Sequence, residues 1–222
     1  MRSSTRITDR TKASMENFVT AYPVPEAVRE DRFAAAVSWK PLLPGGSNVT
    51  THKLEYVSEE LVAFASTIGA RLFTLAFAGI GGLVFLMGLV LLNSANNFFP
   101  AIMMTSFGAL FAIVGIWMFF RFDEAIMFDK ERGLYWKANK PPRLDRKTIK
   151  RSNCCHLEDI AGIQLLEERV RSGQTSFFSY ELNLVLADGN RLQVIDHSNL
   201  DQIRMDAATL GTFLDVPVWD GI

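Results

Sequence analysis

The most informative absence in this sequence is the absence of charge from residues 72–120. This stretch contains no Asp, Glu, Lys, Arg or His, although the 222-residue chain carries 23 Lys and Arg and 24 Asp and Glu. Ionisable residues within an apolar membrane segment mark proton relays, ion paths and transport sites. Their absence excludes such a site from this stretch and leaves an apolar anchor as its interpretation.

Cysteine and histidine are also scarce. The two cysteines are adjacent, as Cys154-Cys155-His156, and the other histidines, His52 and His197, lie in separate segments. Adjacent cysteines are poorly placed to chelate one zinc ion, and a cytoplasmic location would keep both thiols reduced. We therefore expect a structural loop at residues 154–156. Because the sequence also lacks a Gly-rich phosphate loop and a nucleophile motif, we predict no metal site, no cofactor and no catalytic residues.

The charge-free stretch is long enough for two membrane spans. A spanning helix needs roughly 20 mainly apolar residues, and the polar, turn-forming residues 93–97 divide the stretch in two. We predict transmembrane helices at 72–92 and 98–120, joined by a short non-cytoplasmic turn. A buried helical pair in a soluble protein is the alternative, but such helices normally have a polar face and neither segment has one.

Lys and Arg near the span ends predict the orientation. Arg71 precedes the first span, Arg121 follows the second, and the connecting turn has no basic residue. Basic residues near membrane spans are retained in the cytoplasm. We therefore predict a multi-pass protein of the bacterial inner membrane with both termini cytoplasmic.

A basic run follows the second span. Seven of the fifteen residues from Lys137 to Arg151 are Lys or Arg, opposed only by Asp145. Such a run can contact anionic headgroups, each basic residue contributing about 1 kcal/mol. The alternative is that it only sets the topology. Nucleic acid is not an expected partner, because the domain is not basic overall. The predicted lipid-contacting residues are Lys137, Lys140, Arg143, Arg146, Lys147, Lys150 and Arg151.

Small residues recur along both predicted spans. They allow close backbone approach in lipid, where no hydrophobic force drives helices together. Two interpretations remain open, packing within the hairpin and homo-oligomerisation through the same faces. The predicted packing residues are Ala78, Gly82, Gly108, Ala112 and Gly115.

The residues before the first span divide into two parts. Residues 1–47 mix charges with several prolines and the Gly45-Gly46 pair, and we predict a partly flexible arm. Residues 48–71 are predicted to form a strand followed by a juxtamembrane helix. Ser58 would be the N-cap of this helix, with Glu59 in its first turn.

Residues 121–222 change to the alternating pattern of strands. Residues 124–128 and 134–138 flank a turn that ends in Gly133, and Asp188-Gly189 predicts a second hairpin turn. A helix that begins after Ser198 or Asn199 should close this cytoplasmic domain. The fold class is therefore an α+β membrane protein with an antiparallel β domain. Further strands are predicted at 160–170, 177–187 and 190–196, and the helix stripe at Ile203, Ala207, Leu210 and Leu214.

The order of these parts carries a family resemblance. An apolar hairpin is followed by the strand and turn from Ile126 to Gly133, by Leu157-Glu158-Asp159-Ile160, and by the Asp188-Gly189 turn with its terminal helix. This order resembles small bacterial membrane proteins with a two-helix hairpin followed by a pleckstrin-homology-like β domain. The resemblance covers about residues 59–216, and implies a binding or assembly module without catalytic residues.

We therefore expect a non-catalytic interaction or assembly module at the inner face of the membrane. Its expected partners are the bilayer, with anionic headgroups, an unknown protein and further copies of itself. Two alternatives remain open. The first is an immunity protein that neutralises a bacterial toxin at the membrane. The second is an enzyme acting on a lipid or peptide, which would need a polar pocket with perturbed acids or histidines.

Overall fold

The computed structural model describes residues 24–92, 98–142, 154–172 and 174–222, and combines two long helices with nine strands in two sheets. The helices are α1 (Arg32–Ala36), α2 (Ile68–Leu92), α3 (Phe98–Phe122) and α4 (Leu200–Leu214). The strands are β1 (His52–Ser58), β2 (Leu61–Ser66), β3 (Ile126–Asp129), β4 (Leu134–Lys137), β5 (Cys154–His156), β6 (Ile160–Ser172), β7 (Thr175–Leu186), β8 (Arg191–His197) and β9 (Val218–Asp220).

Helices α2 and α3 pack against each other as a hairpin, and each has 25 residues. Both are long and apolar enough to cross a membrane. Both extend beyond the predicted limits. Helix α2 begins at Ile68, just after Thr67, whose hydroxyl accepts the Ala70 amide at 3.2 Å, and α3 ends at Phe122. The predicted turn at 93–97 lies outside the described residues.

The predicted juxtamembrane helix is wrong. The Ser58 hydroxyl accepts the Glu60 amide at 3.3 Å within a tight turn, and the following residues, Leu61–Ser66, form strand β2 against β1. Val62 and Phe64 are fully buried in the core. The segment is a strand because it pairs on both sides, with β1 and with β3, and this pairing outweighs its local helical propensity.

The first sheet contains strands that precede the helical hairpin in the sequence and strands that follow it. Its strand order is β1-β2-β3-β4-β5, and β2 pairs antiparallel with β3, which follows the hairpin in sequence. Val62 lies opposite Phe128, and Phe64 lies opposite Ile126. The β domain is therefore not confined to residues 121–222 as expected, since the two strands that precede the hairpin form part of its core.

The second sheet has the order β8-β7-β6-β9. Strands β6, β7 and β8 are antiparallel and match the predicted strands closely, whereas β9 is parallel to β6 and was not predicted. Gly133 and Gly189 have φ angles of 64° and 84°, and both lie in the predicted turns. Positive φ costs glycine little, which is why these turns were visible in the sequence.

The main core lies between the two sheets and is covered by α4. Asn199 caps this helix by accepting the Gln202 amide at 3.0 Å, as predicted. Its buried stripe includes Ile203, Ala207 and Leu210, while Leu214 is only partly buried. The mixed α+β class with antiparallel sheets is confirmed.

The described part of the N-terminal arm, residues 24–47, packs on the outer face of the second sheet. Val37 and Trp39 are buried there against Leu166, Val185 and Trp219. Little of the segment is regular secondary structure, because it wraps around the sheet instead of pairing with it. Residues 1–23 lie outside the described residues.

Candidate functional site at the base of the hairpin

The base of the hairpin, where α2 begins and α3 ends, is attached closely to the β domain. Arg71 of α2 forms an ion pair at 2.9 Å with Asp123, which follows α3. The Thr67 amide donates to the Thr51 carbonyl at 2.8 Å, which joins the start of α2 to the segment before β1. Only one residue separates β2 from α2, and three separate α3 from β3.

A chain segment at residues 42–47, which we call the strap, lies across the second sheet. Its backbone amides donate to one carboxylate from each of β6, β7 and β8, so that charge-assisted hydrogen bonds fix it without strand pairing. The Leu42 amide donates to Glu181 at 3.0 and 3.2 Å. The Gly45 amide donates to Glu168 at 3.0 and 3.2 Å, and the Gly46 amide donates to the same carboxylate at 3.3 Å. The Ser47 amide donates to Asp196.

Glu181 is buried beneath the strap. Burial raises the pKa of its carboxyl group, while the Leu42 amide and the Asn183 side chain, which donates at 2.6 Å, oppose the shift. Arg191 contributes a weaker opposing charge. Sequence reasoning did not identify Glu181, because no local signal in the sequence shows that the arm covers this face of β7.

Three connected spaces surround the base of the hairpin. A central cavity of about 160 Å³ lies between the ends of the sheets and includes His52, Lys137 and His197 in its lining. On one side it adjoins a cationic pocket of about 460 Å³. On the other side it adjoins an apolar groove of about 610 Å³ between the hairpin and the segment that precedes β1.

Lys137 does not point freely into solvent. This predicted lipid-contacting residue is the last of β4 and is half-buried, and its Nζ donates to the Val194 carbonyl at 3.1 Å. Burial lowers the pKa of Lys137, while the nearby Glu124 and Asp196 raise it. Lys140 is exposed. The other predicted lipid-contacting residues, which are Arg143, Arg146, Lys147, Lys150 and Arg151, lie outside the described residues.

Two histidines lie near the same cavity. His52 contacts the Thr51 hydroxyl at 2.9 Å and the Glu124 carbonyl at 3.1 Å, and burial lowers its pKa. Burial also lowers the pKa of His197, whose Nδ1 accepts the Asn199 amide at 3.2 Å. Both rings are thereby biased towards the neutral form, in which they can accept or donate hydrogen bonds.

Four of the five predicted packing residues lie at the contact between α2 and α3. A Cβ atom on Gly82 would meet nothing within 4 Å, so this residue faces away from α3, whereas its neighbour Gly81 lies against the α3 backbone. These contacts lie within one hairpin and leave homo-oligomerisation a prediction. The close approaches are Gly81 to Ala112, Gly108 to Phe85, and Gly115 to Ala78.

The adjacent cysteines lie in β5 and not in the expected loop. Cys155 pairs with Tyr135 of β4, and both thiols are buried. Burial raises the pKa of Cys155 to about 12, so this thiol is a poor nucleophile at neutral pH. Across the described residues, no three His, Cys, Asp or Glu side chains are grouped closely enough to hold a metal ion.

Comparisons with known proteins add no relative from which a role could be transferred. The sequence matches no protein-family model and no curated protein. The candidate site is therefore interpreted from its own geometry and charge.

Proposed function

We propose that this chain is a membrane-anchored, non-catalytic interaction module of the bacterial inner membrane. Its hairpin spans the bilayer with both termini in the cytoplasm, and its β domain, of the pleckstrin-homology-like type, lies at the inner face. Large apolar side chains cover the outside of the hairpin, among them Leu83, which is 70% exposed. Such a surface is stable in lipid and costly in water.

The observation that carries this proposal is the position of the hairpin between two adjacent strands of one sheet. The helices are joined to β2 and β3, which pair with each other through Phe64 and Ile126. A tether at one terminus would let the domain rotate away from the bilayer. Two short connections into neighbouring strands hold the β domain at a constant distance from the bilayer and in a constant orientation relative to it. This arrangement suits an assembly module.

The surface that we assign to a protein partner is the exposed end of strand β1, residues 55–58, at an edge of the first sheet. Strand β1 is one of the two edge strands of this sheet, and a β-bulge leaves Val57 unpaired within the ladder and 60% exposed. Tyr56 beside it is also exposed and contacts Phe213 of α4 edge-on, at 6.3 Å between ring centroids. Exposed apolar groups on an edge strand offer both backbone and side-chain contacts to a partner strand.

Photo-crosslinking in intact cells tests this proposal. A photoreactive amino acid at position 57 is activated, the tagged protein is purified in mild detergent, and the crosslinked species are identified by mass spectrometry. The matched control carries the same group at Glu131, an exposed turn residue. We expect one dominant protein to be crosslinked through position 57 and not through position 131. A crosslink to a second copy of the chain would identify a homo-oligomer. Identical products at both positions would refute this interface.

A further inference from the structure

The three spaces at the base of the hairpin share lining residues, and we call them together the cleft. The central cavity shares Arg121, Glu124 and Lys137 with the cationic pocket. It shares Thr51 and Asp196 with the apolar groove. The cleft therefore has a charged end and an apolar end, and it lies where the hairpin leaves the sheets.

The charged end has an excess of positive charge. Arg121, Lys137 and Arg191 line it, and Glu124 is its one carboxylate. Glu124 is already engaged by Arg121 at 3.4 Å. No carboxylate of the described residues forms an ion pair with half-buried Lys137. Glu124 and Asp196 act on Lys137 only from beyond ion-pair distance, so they compensate the burial of this cation only in part. A bound anion would compensate it further.

Arg191 is held in place at this end. Its guanidinium donates to the Gln164 side chain at 2.9 Å and to the Lys40 carbonyl at 2.8 Å. An arginine oriented in this way loses less side-chain entropy on binding an anion than a free one does. The charged end is thus built from side chains of α3, β4 and β8, whose positions depend on the whole fold.

The apolar end opens beside the hairpin. Phe73 of α2 and both Met118 and Phe122 of α3 line it, with Val49 on the opposite side. Phe73 is exposed on the outer surface of the hairpin, so the groove is continuous with the surface that would face lipid. A soluble phosphate would use only the charged end, whereas a lipid would use both.

We propose that this cleft binds one anionic glycerophospholipid from the inner leaflet. Its phosphate is held by Arg121, Lys137 and Arg191, and the upper part of an acyl chain lies against Phe73, Met118 and Phe122. The inference rests on the proposed function, because the hairpin must be in the bilayer for the lipid to enter. Asp196, which lines the central cavity and the apolar groove but not the charged end, already accepts the Ser47 amide.

Native mass spectrometry of the full chain in detergent tests the inference, with short-chain phosphatidylglycerol as the probe. Short-chain phosphatidylcholine and glycerol phosphate serve as comparison ligands. We expect one bound phosphatidylglycerol and weaker binding of both comparison ligands. Equal binding of phosphatidylcholine would refute the role of the cations, and equal binding of glycerol phosphate would refute the role of the apolar groove.

Substitutions in the cleft show which residues bind the lipid. Lys137→Gln and Arg191→Gln should each weaken phosphatidylglycerol binding about tenfold, as expected for one charge-assisted hydrogen bond. Phe73→Ser should weaken lipid binding and leave glycerol phosphate unchanged. Lys140→Gln, an exposed cation three residues beyond Lys137, is the matched control and should bind as the parent does. If neutralising the basic residues at 143–151 abolishes binding and the cleft variants do not, the inference is refuted.

Two further measurements separate this inference from the proposed function. Thermal unfolding of each variant shows whether it is folded. Lys137→Arg should bind phosphatidylglycerol more tightly than Lys137→Gln does, because it keeps the positive charge. Fractionation of the same cells reports membrane insertion. A protein in the membrane fraction that binds no anionic lipid overturns the inference alone, whereas a protein absent from that fraction overturns the proposed function and the inference together.

Discussion

At the scale of single residues, Gly81 and Gly82 are neighbours in sequence with opposite environments. A Cβ atom on Gly81 would overlap the backbone of Ala112, whereas one on Gly82 would lie in open space. Gly81→Ala should therefore push the helices apart and destabilise the hairpin by about 1–3 kcal/mol. Gly82→Ala should leave the stability unchanged or raise it by about 0.5–1 kcal/mol, because alanine favours the helix.

Thermal unfolding of both variants in the same detergent checks this prediction. The Gly81 variant should melt below the parent protein, and the Gly82 variant at or above it. Equal melting temperatures for the two variants would contradict the assignment of Gly81 to the helix contact.

Glu181 predicts a pH dependence of stability at the same scale. Burial raises the pKa of its carboxyl group above the usual 4.5. The stability associated with this group is fully present below pH 4.5 and is lost as the pH rises through the raised value. Glu181→Gln stays neutral and keeps an oxygen that can accept the Leu42 amide. The stability of the Gln variant relative to the parent should therefore increase from pH 4.5 to pH 7.

Chemical denaturation of parent and variant across this pH range measures the difference directly. Subtracting the two curves removes the contributions of His52, His197 and Asp206, whose pKa values are also shifted and which both proteins share. A difference that stays constant or shrinks as the pH rises would show that Glu181 does not carry the buried charge.

At the scale of elements, the arm behaves as part of the β domain. Trp39 is only 4% exposed, and its indole nitrogen donates to the Ala34 carbonyl at 3.0 Å. Trp39→Ala should destabilise the protein by about 3–5 kcal/mol, the usual cost of removing a large buried ring. Leu43→Ala is the control, because Leu43 is 60% exposed and its loss should change stability by at most about 0.5 kcal/mol.

Hydrogen exchange of the strap provides a second measure. In the Trp39 variant the amides of Leu42 and Gly45 should exchange faster. Without the packing of Trp39 the arm is held less firmly on the sheet, so the hydrogen bonds of these amides to the carboxylates open more often. Unchanged protection of these amides would mean that the strap is held by its carboxylates alone and not by the packing of the arm.

At the scale of the whole molecule, the hairpin is an insertion between strands that already pair. Removing residues 66–124 and joining Ala65 to Ala125 through Asn-Gly would turn β2 and β3 into an ordinary β-hairpin, because Phe64 already lies opposite Ile126. We expect the shortened chain to be soluble and monomeric and to unfold cooperatively. Size-exclusion chromatography and circular dichroism would show this, and an aggregated product would contradict it.

A fragment of residues 121–222 is the informative comparison. It lacks β1 and β2, so the core residues Ile126 and Phe128 lose the neighbours that β2 provides. This fragment should fail to give the cooperative unfolding transition of the shortened chain. If it folds by itself, the strands before the hairpin are dispensable and the domain boundary first predicted at residue 121 is adequate.

The sequence by itself determined the features that depend on neighbours in the chain. The two apolar helices follow from uninterrupted hydropathy, the turns at Gly133 and Gly189 from the conformational freedom of glycine, and the start of α4 from the capping preference of Asn199. Each signal acts within a few residues, so no distant contact is needed to recognise it.

Only the tertiary structure decided the features that depend on residues far apart in sequence. Strand β2 has an ambiguous local pattern and is fixed by pairing with β3 beyond the hairpin. Leu42 and Glu181, 139 residues apart, meet only after the second sheet has formed, and the cleft combines residues of both sheets with both helix ends. The physical reason is that periodicity reports which face of an element is apolar, but not which distant segment covers it.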